Sequence, residues 1–197
     1  MATTVTIEVL RQHLEDFGWK QYQVTPEPGE SEGLIFTGYV GEDQVPHRII
    51  IDPIIEKGVL RIFAPEVVKA PMDTTDKDRL HELVLTVAAL NTTSVLASFS
   101  YDPNDGEVSI AVAMPIDEND ISFEQFRRAL TAVMWGISTY GSGLKKILDG
   151  TARSSDVVRT TAPVPTSADL GALRQLLEDL ERRAREAGGG SDGGASD

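Results

Sequence analysis

Apolar residues recur along this chain in two alternating rhythms. A first helical rhythm runs through Ile7, Leu10, Leu14 and Phe17, and Gly18 stands where a left-handed helix end is expected. Three strand-like stretches follow. Trp19 to Val24 reads as a short strand, and Leu34 to Val40 and Val45 to Ile51 as a hairpin joined at Gly41-Glu42-Asp43-Gln44. Val59 to Phe63 is a further apolar run after a break at Asp52-Pro53, and the first sheet has three or four strands according to whether Trp19 to Val24 counts as a full one. Ala64 to Asp73, with Pro65 and Pro71, reads as a connector.

A second helix is expected from Thr75, with Asp78 at the capping-box position and Leu80, Leu83, Val87 and Leu90 as its buried stripe. A hairpin then alternates cleanly. Phe99 and Tyr101 interleave with serines, and Val108, Ile110, Val112 and Met114 interleave with small residues, across the turn Asp102-Pro103-Asn104-Asp105-Gly106. The helix opening at Ser122 is the best signalled. Ser122 and Gln125 form a capping box, Ile121 and Phe126 a hydrophobic staple, and Phe123, Phe126, Leu130, Val133, Ile137, Tyr140, Leu144 and Ile147 an unbroken stripe. The order is α-β-β-β-α-β-β-α, an α+β domain over residues 1–148.

The texture changes beyond Leu148. Residues 149–166 are rich in Thr, Ser, Ala and Pro and read as a flexible linker. Residues 167–187 carry Leu170, Leu173, Leu177 and Leu180 at helical spacing, an amphipathic C-terminal helix, and residues 188–197 form a low-complexity tail expected to be disordered. A leucine stripe on so short a helix is useful only if it docks on the domain, on its twin or on a partner.

Charge narrows the classes of function. The 197 residues carry a net charge of −13, of which −3 lies from Asp149 onward and −10 before it. Such a surface repels phosphate backbones, and nucleic acid is not an expected partner. It serves solubility, or it steers basic or aggregation-prone partners. With no cysteine there are no disulfides, thiolate metal sites or cysteine nucleophiles, which fits a reducing compartment. No stretch approaches a membrane span, and the start lacks a secretory pattern, so a cytoplasmic protein with no membrane partner is expected.

Catalytic and ligand motifs are hard to find. His13, His47 and His81 share no ligand spacing, so no metal or other cofactor is expected. Asp102 to Glu107 mimics the start of a calcium loop, but its glycine is one position early and Ala113 stands where a bidentate glutamate is needed. Gly141-Ser142-Gly143-Leu144-Lys145-Lys146 lacks a phosphate-loop pattern and reads as fraying or bending of the long helix. Met134 and Trp135 lie on another side of that helix from its stripe. Two readings stay open for them: burial on a second face, or a subunit or partner interface.

The segments Leu14-Glu15-Asp16-Phe17-Gly18-Trp19, Leu90-Asn91, Phe99-Ser100-Tyr101-Asp102-Pro103-Asn104-Asp105-Gly106-Glu107-Val108 and Ile121-Ser122-Phe123-Glu124-Gln125 resemble the YbjN family, which is related in fold to type III secretion chaperones. The resemblance covers roughly residues 4–148. It departs at Trp135 to Tyr140, which lacks the aspartate that family members often carry. It implies a curved antiparallel sheet flanked by helices, a homodimer, and a non-enzymatic role in holding or regulating another protein. The expected function is that of a chaperone-like adaptor binding a polypeptide through apolar surface and sheet edges. The alternative is a small-molecule-sensing regulatory domain with a pocket between sheet and helices.

Overall fold

The computed structural model describes residues 5–25, 33–41, 44–116 and 121–158. Helix α1 (Ile7–Asp16) leads into strands β1 (Tyr22–Thr25), β2 (Leu34–Val40), β3 (Pro46–Ile54) and β4 (Val59–Lys69). Helix α2 (Lys77–Thr93), strands β5 (Ser98–Tyr101) and β6 (Glu107–Pro115), helix α3 (Phe123–Leu148) and the short α4 (Ser154–Val158) follow. All six strands join one antiparallel sheet in the order β1-β2-β3-β4-β6-β5. The protein is α+β, and among the described residues one sheet carries the helices on one face.

The strands run past two prolines that read as breaks. Pro53 lies beyond the last β2–β3 pair, Ile35 with Ile51, so its missing N–H costs no bond to β2. Pro65 sits in a bulge of β4 between Ala64 and Val68, where Glu66 takes a positive φ of 48°. Absorbing Pro65 in this way, β4 extends through the expected connector to Lys69.

Helix ends follow their signals. Thr6 caps α1 by accepting from Val9 N–H at 3.3 Å, and Gly18 takes φ +91° just past its end. Asp76, one residue later than expected, caps α2 by accepting from Asp78 and Arg79 N–H. Both halves of the Ser122–Gln125 capping box are present. Helix α3 is continuous through Gly141 and Gly143, so those glycines do not fray it. Gly143 and Gly136 permit close approach. A Cβ on Gly143 would stand 2.9 Å from Val157 Cγ1, and one on Gly136 would stand 3.1 Å from Ile110 Cγ2.

The core lies between the sheet and α3. Leu60, Ile62, Val108, Ile110 and Val112 meet Phe126, Leu130, Val133, Ile137, Tyr140 and Leu144, all buried. Each such side chain contributes about 1.5–3 kcal/mol by leaving water. Helix α1 joins through Leu10 and Leu14 and through His13, which donates from Nε2 to the Ile121 carbonyl at 2.8 Å and packs on Phe123 and Phe126. Asn91 pairs with both backbone groups of Phe99, fixing α2 to β5.

Where the sequence has no periodicity after Leu148, residues 149–158 pack on the domain. Gly150 takes φ +73°, Arg79 donates to the Leu148 carbonyl at 2.8 Å, Ser154 N–H donates to Glu82 at 2.6 Å, and Val157 is buried against Gly143. Residues 159–166, the expected helix 167–187 and the tail 188–197 lie outside the described residues, and so do Leu170, Leu173, Leu177 and Leu180.

Candidate protein-binding surfaces

With the helices on one face, the other face of the sheet is free of them among the described residues. Strand alternation puts Phe36 of β2, Ile50 of β3, Phe63 of β4 and Ala111 of β6 on that open face. They are direct cross-strand partners, Phe36 with Ile50, Ile50 with Phe63 and Phe63 with Ala111, so they form one row across four strands. Ile50 is only 8% exposed, yet neither it nor the two phenylalanines belongs to the main core. They make a second, thin apolar layer whose outer surface meets solvent.

Charged side chains flank this row. On one side lies Arg48, two residues from Ile50. On the other lie Asp52 and Arg61, cross-strand partners joined by an ion pair of 2.6 Å. The Arg61 guanidinium also stands 4.3 Å from the centre of the Phe63 ring. At the end of the sheet, Lys69 pairs with Glu66 at 2.8 Å. That pairing holds the Glu66 carboxyl below its ordinary pKa and the Lys69 ammonium above its own.

Further exposed apolar side chains lie on α2 and in the turn after it. Val84 and Leu85 on α2 are exposed, and in the turn to β5 Leu96 is half exposed and Val95 is 90% exposed. Trp135 of α3 packs against the core. Its ring meets Tyr140 edge to face at 5.4 Å, and Tyr140 in turn meets Phe99 edge to face. Burial raises the pKa of the Tyr140 phenol above its usual value. Met134 and Trp135 are both half buried against the core, neither sealed in it nor fully free. Phe123, first in the expected stripe, is half buried beside His13.

Both sheet edges are short strands. Tyr22 of β1 is held to α1, accepting from Arg11 at 3.1 Å and donating to Glu15 at 2.9 Å. Tyr101 of β5 donates to the Ala70 carbonyl at 2.9 Å, and burial raises its pKa.

The open-face row was not singled out in the sequence, although its signal is there. Ile49-Ile50-Ile51 is an unbroken apolar run, the mark of a strand covered on both faces. Phe36 and Phe63 alternate with inward-facing neighbours in their own strands. The exposure of Val95 and Leu96 follows from the loop they occupy and carries no periodic signal. Among the described residues no cluster of His, Asp or Glu could hold a metal ion, and no helix is long and apolar enough to cross a membrane.

No protein-family model matches the chain, and no curated protein matches it in sequence, so the likeness to the YbjN family rests on the residues quoted for it. Two solved structures are similar. One is described as the ExsC-ExsE complex, with a TM-score of 0.44 and 15% identity, covering 73% of this chain and 97% of that one. The other is an uncharacterized protein from Methanothermobacter thermautotrophicus, with a TM-score of 0.48 and 10% identity, covering 73% and 99%. At this identity the likeness is one of fold and extends no further.

Proposed function

We propose that this protein is a non-enzymatic, chaperone-like adaptor that binds another polypeptide through its exposed apolar surface and acts in the cytoplasm as a homodimer. The observation that carries the reading is the exposure of four large apolar side chains, Val84, Leu85, Val95 and Leu96, on a protein of net charge −13. Side chains of this kind raise the free energy of an isolated protein in water and lower it in a complex. The short edge strands β1 and β5 offer a second mode, because an added strand would satisfy their outward backbone groups. The resemblance to chaperone-related sequences points the same way, and so does an acidic surface that keeps a sticky complex soluble.

Met134, Trp135 and the tail leucines Leu170, Leu173, Leu177 and Leu180 are the proposed self-association or client contacts. Cross-linking in the native cell, followed by purification and mass spectrometry, tests the binding reading; a protein recovered alone after cross-linking would count against it. Sedimentation of the full chain tests the dimer, and comparison with a chain ending at Val158 shows whether the tail leucines hold it together. A full chain that sediments as a monomer removes the homodimer.

A further inference from the structure

We propose that Asn91 guards the β5 edge: its carboxamide takes the place of a neighbouring strand's peptide group and keeps β5 from pairing with β5 of a second copy. The inference goes beyond the adaptor reading and holds whether or not a client binds. A client strand added at β5 meets the same carboxamide and must displace it.

The hazard is written in the sequence. Leu83 to Tyr101 is a run of 19 residues without Asp, Glu, Lys, Arg or His, the longest in the chain. Its end, Val95-Leu96-Ala97-Ser98-Phe99-Ser100-Tyr101, holds no proline or glycine and carries Val95, Phe99 and Tyr101, residue types that favour strands. Short uncharged segments of this kind pair readily with their own copies. Ser98 to Tyr101 form β5, which lies at the end of the sheet. Exposed edges are ordinarily blunted by charge, proline or a bulge. Here the register with β6 is unbroken, and the first charge and proline come only after the strand, at Asp102 and Pro103.

Helix α2 and the turn after it supply the cover. Phe99 stands opposite Ile110 in the ladder, and both of its backbone groups are taken by Asn91 rather than by β6. The Asn91 amide donates to the Phe99 carbonyl and its oxygen accepts from the Phe99 N–H, each at 2.8 Å. One residue of an antiparallel neighbour would make the same two bonds. A carboxamide can copy them because it carries donor and acceptor on one carbon. Ser94 Oγ covers the next outward group by donating to the Ala97 carbonyl. Asn91 is exposed, so it stands where another chain would approach. With it gone, two copies can pair about a two-fold axis, Phe99 opposite Phe99 of the second copy as the hydrogen-bonded pair. Ser98 then faces Ser100 of the second copy with Cα atoms about 4.5 Å apart, within reach of a disulfide.

The chain has no cysteine, so introduced cysteines report this contact alone. Full chains carrying Ser98→Cys and Ser100→Cys, one of them isotopically labelled, are mixed and oxidised, and the mixed disulfide is counted by mass spectrometry. The expected yield is about tenfold higher or more when both chains also carry Asn91→Ala, because no bond to Asn91 then has to be given up. In sedimentation, the Asn91→Ala chain should associate one step further than the unchanged chain, and adding Ser100→Lys should reverse that step. A lysine on β5 restores no bond to α2, so this rescue separates guarding the edge from tying α2 to β5. It cannot come from net charge either, because a positive charge lessens the mutual repulsion of chains carrying −13. Asn91→Ser, too short to reach both Phe99 groups, carries the same expectations if Asn91→Ala fails to fold.

Equal disulfide yield with Asn91 in place overturns the proposal, as does a folded Asn91→Ala chain that neither cross-links more nor associates further. Further association that Ser100→Lys leaves unchanged overturns it too, since the contact then lies away from β5. None of these results bears on the adaptor reading, which falls only if cross-linking in the native cell recovers the protein alone.

Discussion

Replacing Gly106 with alanine probes the junction between the β5–β6 turn and the end of β4. Gly106 takes φ +77°, and a Cβ there would overlap the peptide between Ala70 and Pro71, lying 2.6 Å from the Ala70 carbonyl oxygen. The Ala70 N–H also donates to the Gly106 carbonyl at 2.7 Å, so neither strand end can withdraw without losing that bond. Gly18 is the internal control, with φ +91° and nothing within 4 Å of its added Cβ. Left-handed backbone costs alanine about 1–2 kcal/mol at either site. Gly106→Ala adds about 1–3 kcal/mol of overpacking and about 1 kcal/mol for the weakened hydrogen bond, giving about 3–6 kcal/mol in all. Against a typical domain stability of about 5–15 kcal/mol this approaches unfolding. Urea denaturation followed by circular dichroism measures the difference. With a slope of about 2 kcal/mol per molar, Gly106→Ala should fall at least about 1 M below Gly18→Ala in midpoint. Midpoints within about 0.3 M of each other would refute the claim that contact with Ala70 and Pro71, rather than backbone strain, fixes Gly106.

Ser122→Ala should lower stability by about 1 kcal/mol in the same assay through loss of the capping box, with Gln125→Ala giving a smaller, non-additive loss. Gly143→Ala should cost about 1–2 kcal/mol, and Val157→Ala should rescue part of it, because the two sites share one contact; strict additivity would deny that α4 packs on α3. Burial raises the folded-state pKa of Tyr140, so its contribution is fully present below the unfolded value near 10 and is lost as pH rises through the folded value. Urea midpoints should therefore drop between about pH 9 and pH 11, and by less in Tyr140→Phe; an equal drop in the variant would sink the assignment. The Leu85→Ser, Leu96→Ser double variant, which removes two half-buried leucines, should lose no more than about 3 kcal/mol of stability, stay folded, and recover less cross-linked partner.

Helices were legible because their signals are local. The Thr6 cap, the Ser122–Gln125 box and the Phe126–Ile147 stripe each state a boundary or a face within a few residues. Strand extent was less legible because it depends on neighbours. Pro53 is tolerated only because β2 has already ended beside it, and Pro65 only because a bulge takes it out of the ladder. The joining of both strand groups into one sheet rests on pairs such as Ile62 with Val112, which no local rule relates. The candidate surface divides in the same way. Phe36, Ile50 and Phe63 are each visible as strand residues, but their alignment in one row requires two registers at once.

The insertion of β6 between β4 and β5 also orders events during synthesis. Strands β1 to β4 can pair as a meander as soon as they emerge, but β4 then presents an unpaired edge until residues 107–115 follow. Helix α3, which covers the inward face of β4 and β6, comes later still. A nascent chain arrested before Glu107 therefore carries both a free strand edge and the uncovered inner face, which exposes it to aggregation. Release of this protein as a competent folded domain waits on α3, the helix that closes its core.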